Sequence, residues 1–139
     1  MFVLALVPML VSARPPTLQA ASRFPSYQGQ WVIINYWASW CGYCMEEVPE
    51  LNAFYQRHKN KVQLFAVNQE ALTTDELIEV IRASGLQYPS FSSDPKRYFR
   101  FRMRPLVGLP TTLVITPNGR LKRVFERAVT RKDLEKIIS

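Results

Sequence analysis

The chain has 139 residues, 47% of them hydrophobic and 21% charged, and a net charge of +7. That length gives one domain with a core large enough to need no covalent staples, in the composition range of ordinary globular proteins. Two cysteines exclude a disulfide scaffold of the kind that holds small secreted domains together, and leave them a redox or metal role.

The charge is unevenly placed. Residues 1–95 carry six Lys/Arg against eight Asp/Glu, and residues 96–139 carry twelve against three. This predicts an electropositive face able to meet an acidic partner or an anionic membrane. From the N-terminus, Phe2 to Val11 form an apolar run that ends in Val11-Ser12-Ala13 before Arg14-Pro15-Pro16. The small residue at Ala13 fits a signal-peptidase site, although the basic residues that should precede such a run are missing. The run is too short to span a bilayer, which takes roughly 20 residues. Residues 1–13 are therefore read as a signal peptide or the end of a longer anchor, with a buried strand as the alternative. The folded domain covers 14–139.

Residues 14–30 are loop-rich, with a short strand near Thr17–Ala20. Trp31 to Trp37 is a buried strand that feeds a helix from about Cys41 to His58, whose Val48, Leu51, Phe54 and Tyr55 recur at helical spacing. Pro49 lies inside that helix and is expected to kink it. Val62–Asn68 is the next strand. Thr73-Thr74-Asp75-Glu76 then opens a capped helix through Leu77, Ile78 and Ile81, closed by Gly85. The alternation of strand and helix predicts a parallel βαβ unit. A short helix is expected from Pro95 toward Met103. Thr111–Thr116 and Leu121–Phe125 flank Pro117-Asn118-Gly119 as an antiparallel hairpin, and a terminal helix starts at Thr130. The sum is an α/β fold with a mixed central sheet covered by helices on both faces.

Both cysteines lie in one turn, Trp40-Cys41-Gly42-Tyr43-Cys44, between strand and helix. Cys41 falls at the helix N-terminus, where unpaired amides and the helix dipole favour a thiolate, so it is the expected nucleophile. Cys44 is one turn on along the same face and is the expected resolving thiol. A zinc site would need a second ligand pair, which lone His58 and scattered acids do not offer. A static disulfide would waste the helix-terminal position. Downstream, Gly108-Leu109-Pro110-Thr111-Thr112 precedes a strand. Leu109-Pro110 is either a cis bond that turns the Leu109 backbone toward the dithiol, or a trans proline entering an edge strand. Trp37 is expected in the core and Trp40 on the rim. The stretch Lys96-Arg97-Tyr98-Phe99-Arg100-Phe101-Arg102-Met103-Arg104 is a solvated amphipathic helix or a docking surface for an anionic partner or membrane. No recognition module accompanies it, so no nucleic acid is expected. His58 is read as a surface residue without a role.

The run Asn35-Tyr36-Trp37-Ala38-Ser39-Trp40-Cys41-Gly42-Tyr43-Cys44, followed by Glu47, Pro49 and Leu51, resembles the thioredoxin superfamily and, within it, the exported bacterial TlpA/ResA-like reductases. Phe65-Ala66-Val67-Asn68, the Gly108–Thr112 run and the Pro117-Asn118-Gly119 hairpin follow in the matching order. The resemblance covers about residues 17–139. It implies a thioredoxin fold, Cys41 as attacking thiol, Cys44 as resolving thiol and Pro110 as cis-proline. Trp40, Gly42, Tyr43, Leu109 and Pro110 are the expected substrate-binding residues. Asn35 stands where cytosolic thioredoxins carry a buried Asp, and the acid of the TlpA/ResA-like branch lands on Glu47. Glu47 is then either the group that handles the Cys44 proton or a solvated helix carboxylate beside Glu46 and Glu50. Gly42-Tyr43 replaces the Gly-Pro of thioredoxin, which bears on the redox poise without fixing it. The expected function is a monomeric thiol–disulfide oxidoreductase that reduces protein disulfides in the periplasm. It would use no metal or organic cofactor and would draw electrons from a membrane or periplasmic dithiol donor. The alternatives are a disulfide-forming oxidant and a binding or holdase module that uses the same groove without turnover.

Overall fold

The computed structural model describes residue 14 and residues 16–139, so the readings of residues 1–13 lie outside the described residues. The strands are β1 (Leu18–Gln19), β2 (Trp31–Trp37), β3 (Val62–Asn68), β4 (Ser90–Phe91), β5 (Thr111–Ile115) and β6 (Leu121–Phe125). Among the described residues the α-helices are α1 (Gly42–His58), α2 (Thr74–Ser84) and α3 (Arg131–Ile138), and 3-10 helices cover Ala21–Tyr27 and Pro95–Tyr98. One mixed sheet runs β1-β4-β3-β2-β5-β6. β2, β3 and β4 are parallel, as the strand–helix alternation predicts, and β5 turns antiparallel to β2 with β6 antiparallel to β5.

β2 and β3 are buried on both faces, which is why they read as unbroken apolar runs. Ile33 and Trp37 of β2, with Leu64 and Ala66 of β3, face one core; Val32, Ile34, Tyr36, Phe65 and Val67 face the other. All three α-helices pack on the first core through Leu51 and Phe54 of α1, Leu77 and Ile81 of α2, and Leu134 of α3. The second is closed by Phe24 of the first 3-10 helix and by Phe99, Phe101, Met103 and Leu106. Helices thus flank both faces, α-helices on one and 3-10 turns on the other.

The helix expected from Pro95 toward Met103 stops as a 3-10 helix at Tyr98. Beyond it Phe99, Phe101 and Met103 are half-buried, while Arg100, Arg102 and Arg104 are exposed. That alternation has the period of extended chain, not of a helix. Pro105 adds a second reason, since the residue before a proline avoids helical backbone. The expected capping box forms between Thr73 and Glu76 at α2, and the structure adds a second, Thr130 with Asp133, at the start of α3. Gly85 ends α2 in the left-handed conformation at φ 77°. α1 continues through Pro49 without interruption. His58 is no free surface residue: its ring lies 4.7 Å from that of Phe54, and its Nε2 lies 3.0 Å from Glu135 Oε1, tying α1 to α3. Among the described residues no helix is long and apolar enough to cross a membrane.

Candidate active site

β2 delivers the chain to the C-terminal edge of the sheet, and the turn Ala38–Trp40 leads into α1. Cys41 is the N-cap of α1, and its Sγ accepts a hydrogen bond from the Cys44 N–H at 3.2 Å. The two cysteines are joined as a disulfide with Cα atoms 5.2 Å apart. Cys41 retains 6% exposure and Cys44 1%, so an incoming sulfur meets Cys41 first. Once the bond opens, a thiolate on Cys41 keeps the amide donor and the positive end of the helix dipole. Around it, Trp40 is 73% exposed and Tyr43 68%. Gly42 adds open backbone between them, with no atom near where a Cβ would stand. Trp37, by contrast, lies in the core with its indole N–H unpartnered among the described residues.

Glu47 follows Cys44 by one turn on the buried side of α1 and is 1% exposed. The solvated-carboxylate reading of Glu47 is thereby removed. Its Oε1 accepts from Asn35 Nδ2 at 2.6 Å and its Oε2 from the Val129 N–H at 3.0 Å. Asn35 Nδ2 also donates to Thr112 Oγ1 at 3.2 Å, and Asn35 Oδ1 accepts from the Tyr88 hydroxyl at 3.1 Å. This network lies in the core beneath the dithiol and joins β2, β5, α1, the chain before β4 and the chain before α3. Burial raises the Glu47 pKa to about 7, against the lowering effect of the Val129 and Asn35 hydrogen bonds. Burial also holds the Tyr88 phenol well above its ordinary range, helped by the Glu47 charge.

A second cluster fastens the turn before Cys41. Glu70, just past β3, accepts from the Ser39 N–H at 2.8 Å, from Ser39 Oγ at 2.7 Å and from Asn68 Nδ2 at 2.9 Å. Partial burial raises the Glu70 pKa, but these hydrogen bonds outweigh it and bring it below the usual carboxylate value. The Leu109–Pro110 bond is cis. It stands at the start of β5, whose Thr111 pairs with Tyr36 at the end of β2. Leu109 packs against the cluster that contains both cysteines. The structure therefore brings Trp40, Gly42, Tyr43, Leu109 and Pro110 to the same sheet edge as the dithiol. The 96–104 stretch lies on the opposite face of the sheet from α1.

Reasoning from sequence missed Tyr88, Thr112, Ser39 and Glu70. A signal existed for the first two, because Asn35 inside a buried apolar strand must find hydrogen-bond partners. None existed for Glu70, which meets Ser39 across 31 residues of chain.

The AhpC/TSA family matches residues 15–124. A thiol-disulfide oxidoreductase ResA of Geobacillus kaustophilus is 30% identical over 118 residues, which is 82% of this chain and 64% of that protein. The chain thus spans somewhat less than two thirds of that relative's length. Among solved structures, a DsbF homologue from Corynebacterium diphtheriae superposes with a TM-score of 0.68 at 27% identity, covering 82% of this chain and 73% of that one. A secreted thiol-disulfide isomerase from Corynebacterium glutamicum gives 0.69 at 26% identity, over 81% and 71%. A dithiol turn between strand and helix, a proline opening the antiparallel strand and a match over most of the length lead to one assignment: this chain belongs to the AhpC/TSA family of the thioredoxin superfamily.

Proposed function

We propose that this chain is an exported thiol–disulfide oxidoreductase that reduces protein disulfides through Cys41 and Cys44. The observation that carries the reading is the Cys41–Cys44 disulfide at the N-cap of α1, with the Cys41 sulfur on a backbone amide and the Cys44 sulfur behind it. In the reduced protein the Cys41 thiolate attacks one sulfur of a substrate disulfide, forming a mixed disulfide and expelling the first substrate thiolate. The Cys44 thiolate then attacks Cys41 Sγ and expels the second. Two electrons pass to the substrate, two protons end on its thiols, and the Cys41–Cys44 bond forms. An external dithiol from the membrane or the periplasm restores the reduced pair.

Glu47 takes the proton of Cys44 as that thiol becomes the attacking thiolate. It is one turn away on the same buried face, and a carboxyl with a pKa of about 7 exchanges protons near neutrality. Trp40 and Tyr43 form the exposed apolar rim on which the substrate chain rests, and the backbone of Leu109 pairs with it as an added strand. Export is supported by the secreted Corynebacterium glutamicum isomerase at 26% identity.

Two substitutions test the reading. Cys41→Ser abolishes reduction of a protein disulfide, whereas a pure binding module would keep its full affinity without turnover to lose. Cys44→Ser accumulates the mixed disulfide on Cys41, and its failure to trap substrate would overturn the order of attack. The direction of flow follows from the reduction potential against glutathione. A value near about −270 mV supports a reductant, and one near about −120 mV would make the protein an oxidant.

A further inference from the structure

A cleft of about 340 Å³ opens on the sheet face opposite α1, between residues 102–106 and strands β5 and β6. Its walls are Met103, Leu106, Leu113, Leu121 and Val124, so it is apolar along most of its length. Leu121 and Val124 are both exposed although they are large aliphatic side chains. One end of the cleft is Thr111, the residue directly after Pro110. The cleft therefore continues from the loop that stands beside the dithiol and runs outward along β5, within the size range of ligand sites.

Its rim is cationic. Arg102 and Arg104 both line it, and neither makes an ion pair or a side-chain hydrogen bond among the described residues. They project from the same side of extended chain two residues apart, hence at a spacing of about 7 Å. Arg100, the previous exposed arginine, lies across Gly119 of the β5–β6 turn and so anchors this segment to the hairpin. The one acidic residue on the rim is Glu126. Phe125 pairs with Thr112 in the antiparallel ladder, so Glu126 stands at the Thr111 end, nearest the dithiol.

We propose that this cleft is a substrate subsite that takes an extended segment flanking the target disulfide, in which apolar and acidic residues alternate. The inference rests on the reading of the dithiol as a protein-disulfide exchanger and names the substrate class that exchanger prefers. An extended chain sends alternate side chains to opposite sides with the same two-residue repeat as Arg102 and Arg104. Its apolar side chains enter the cleft and its carboxylates meet the arginines. The position next to the target cysteine is apolar or neutral, because Glu126 repels an acid there. Exposed charge pairs are individually weak, so the arginines select by electrostatics while the apolar walls hold the chain.

Three probes separate the outcomes: a disulfide peptide with a flank alternating leucine and glutamate, the same peptide with lysine for glutamate, and bis(2-hydroxyethyl) disulfide, which is too small to reach the cleft. For the wild-type protein KM for the acidic peptide is roughly fivefold below that for the basic one at low ionic strength, and the gap closes at about 1 M salt. The double variant Arg102→Glu/Arg104→Glu reverses the order, and Arg102→Gln/Arg104→Gln, the gentler change, abolishes it. Val124→Ser raises KM for both peptides. All variants reduce bis(2-hydroxyethyl) disulfide at the wild-type rate. If the small disulfide is reduced normally but wild type treats the two peptides alike, or the Gln variant keeps the preference, the subsite is overturned and the exchanger stands. Binding to phosphatidylglycerol vesicles that the Gln variant loses, without any peptide preference, would overturn it in favour of a membrane-facing surface. Failure of wild type to reduce even the small disulfide would overturn the exchanger reading itself.

Discussion

Glu47→Gln separates the proton on this side chain from its shape. The carboxyl is buried, and burial raises its pKa from 4.5 to about 7. Between those values the folded protein holds a proton that the unfolded chain has released. Its contribution to stability is therefore fully present below about pH 4.5 and is lost as pH rises to about 7. At about 1.36 kcal/mol per pH unit the gap between 4.5 and about 7 amounts to roughly 3 kcal/mol. Gln keeps the volume and cannot titrate. The assay is urea unfolding of the oxidised wild type and variant across the range from about pH 4.5 to about pH 7.5, in which the disulfide-bonded cysteines do not titrate. Tyr88, the other ionisable group on the network, stays protonated there because burial and the Glu47 charge both raise its pKa. Subtracting the variant from the wild type cancels every other titrating group. The difference should shift by roughly 3 kcal/mol against the wild type as pH rises, and a difference independent of pH would refute the raised pKa. In the reduced proteins, the same substitution should flatten the pH dependence of mixed-disulfide resolution by Cys44 near neutrality, and an unchanged profile would remove Glu47 from proton transfer.

Glu70→Ala removes two hydrogen bonds to Ser39 in the turn before Cys41 and one to Asn68 at the end of β3, and should cost about 1–2 kcal/mol, with faster hydrogen exchange at the Ser39 amide as the local sign. Leu134→Ala empties the contact of α3 with the first core, where the side chain is fully buried, and should cost about 2–5 kcal/mol by denaturant unfolding. Thr73→Ala breaks the capping box of α2 and should cost about 1 kcal/mol. Trp40→Ala should leave stability within about 0.5 kcal/mol, because the ring is exposed, yet raise KM for protein disulfides; unchanged KM would take Trp40 out of substrate docking.

Local chemistry made most of the fold legible. The central strands are visible as continuous apolar runs because both faces are covered, and α2 is bounded by Thr73 and Gly85, residues whose capping chemistry is local. The helix expected from Pro95 toward Met103 holds only as far as Tyr98, because Phe99, Phe101 and Met103, interleaved with arginines, follow the period of extended chain and not the helical one. β4 escaped because its two residues are held in the sheet by partners far off in sequence, Leu18 and Gln19. The dithiol was legible because its spacing is itself the chemistry. The environment of Glu47 was not, since its partners Asn35, Val129 and, through Asn35, Tyr88 and Thr112 come from elements that only the tertiary fold brings together.

That dispersal has a mechanical consequence. A buried carboxyl left without partners would be expelled from the core or would destabilise it, so each hydrogen bond to Glu47 also fixes the element that supplies it. Asn35 is the hub: it accepts from the phenol before β4 and donates to the hydroxyl in β5 and to the carboxyl in α1. Asn35→Leu fills the space with apolar atoms and takes one hydrogen-bond partner from each of Glu47, Tyr88 and Thr112, leaving Glu47 the Val129 N–H, whereas Asn35→Asp keeps the shape but places a second carboxyl against Glu47. Two carboxyls at hydrogen-bond distance cannot both ionise readily, so the pair in the Asp variant should hold its last proton to higher pH than Glu47 does alone and carry the pH-dependent loss of stability to higher pH than in wild type. The Leu variant should instead be less stable at every pH by about 1–3 kcal/mol or more, the cost of unpaired buried groups. If the Asp variant lost its stability over the same pH window as wild type, Asn35 and Glu47 would not share the coupling that a 2.6 Å contact demands.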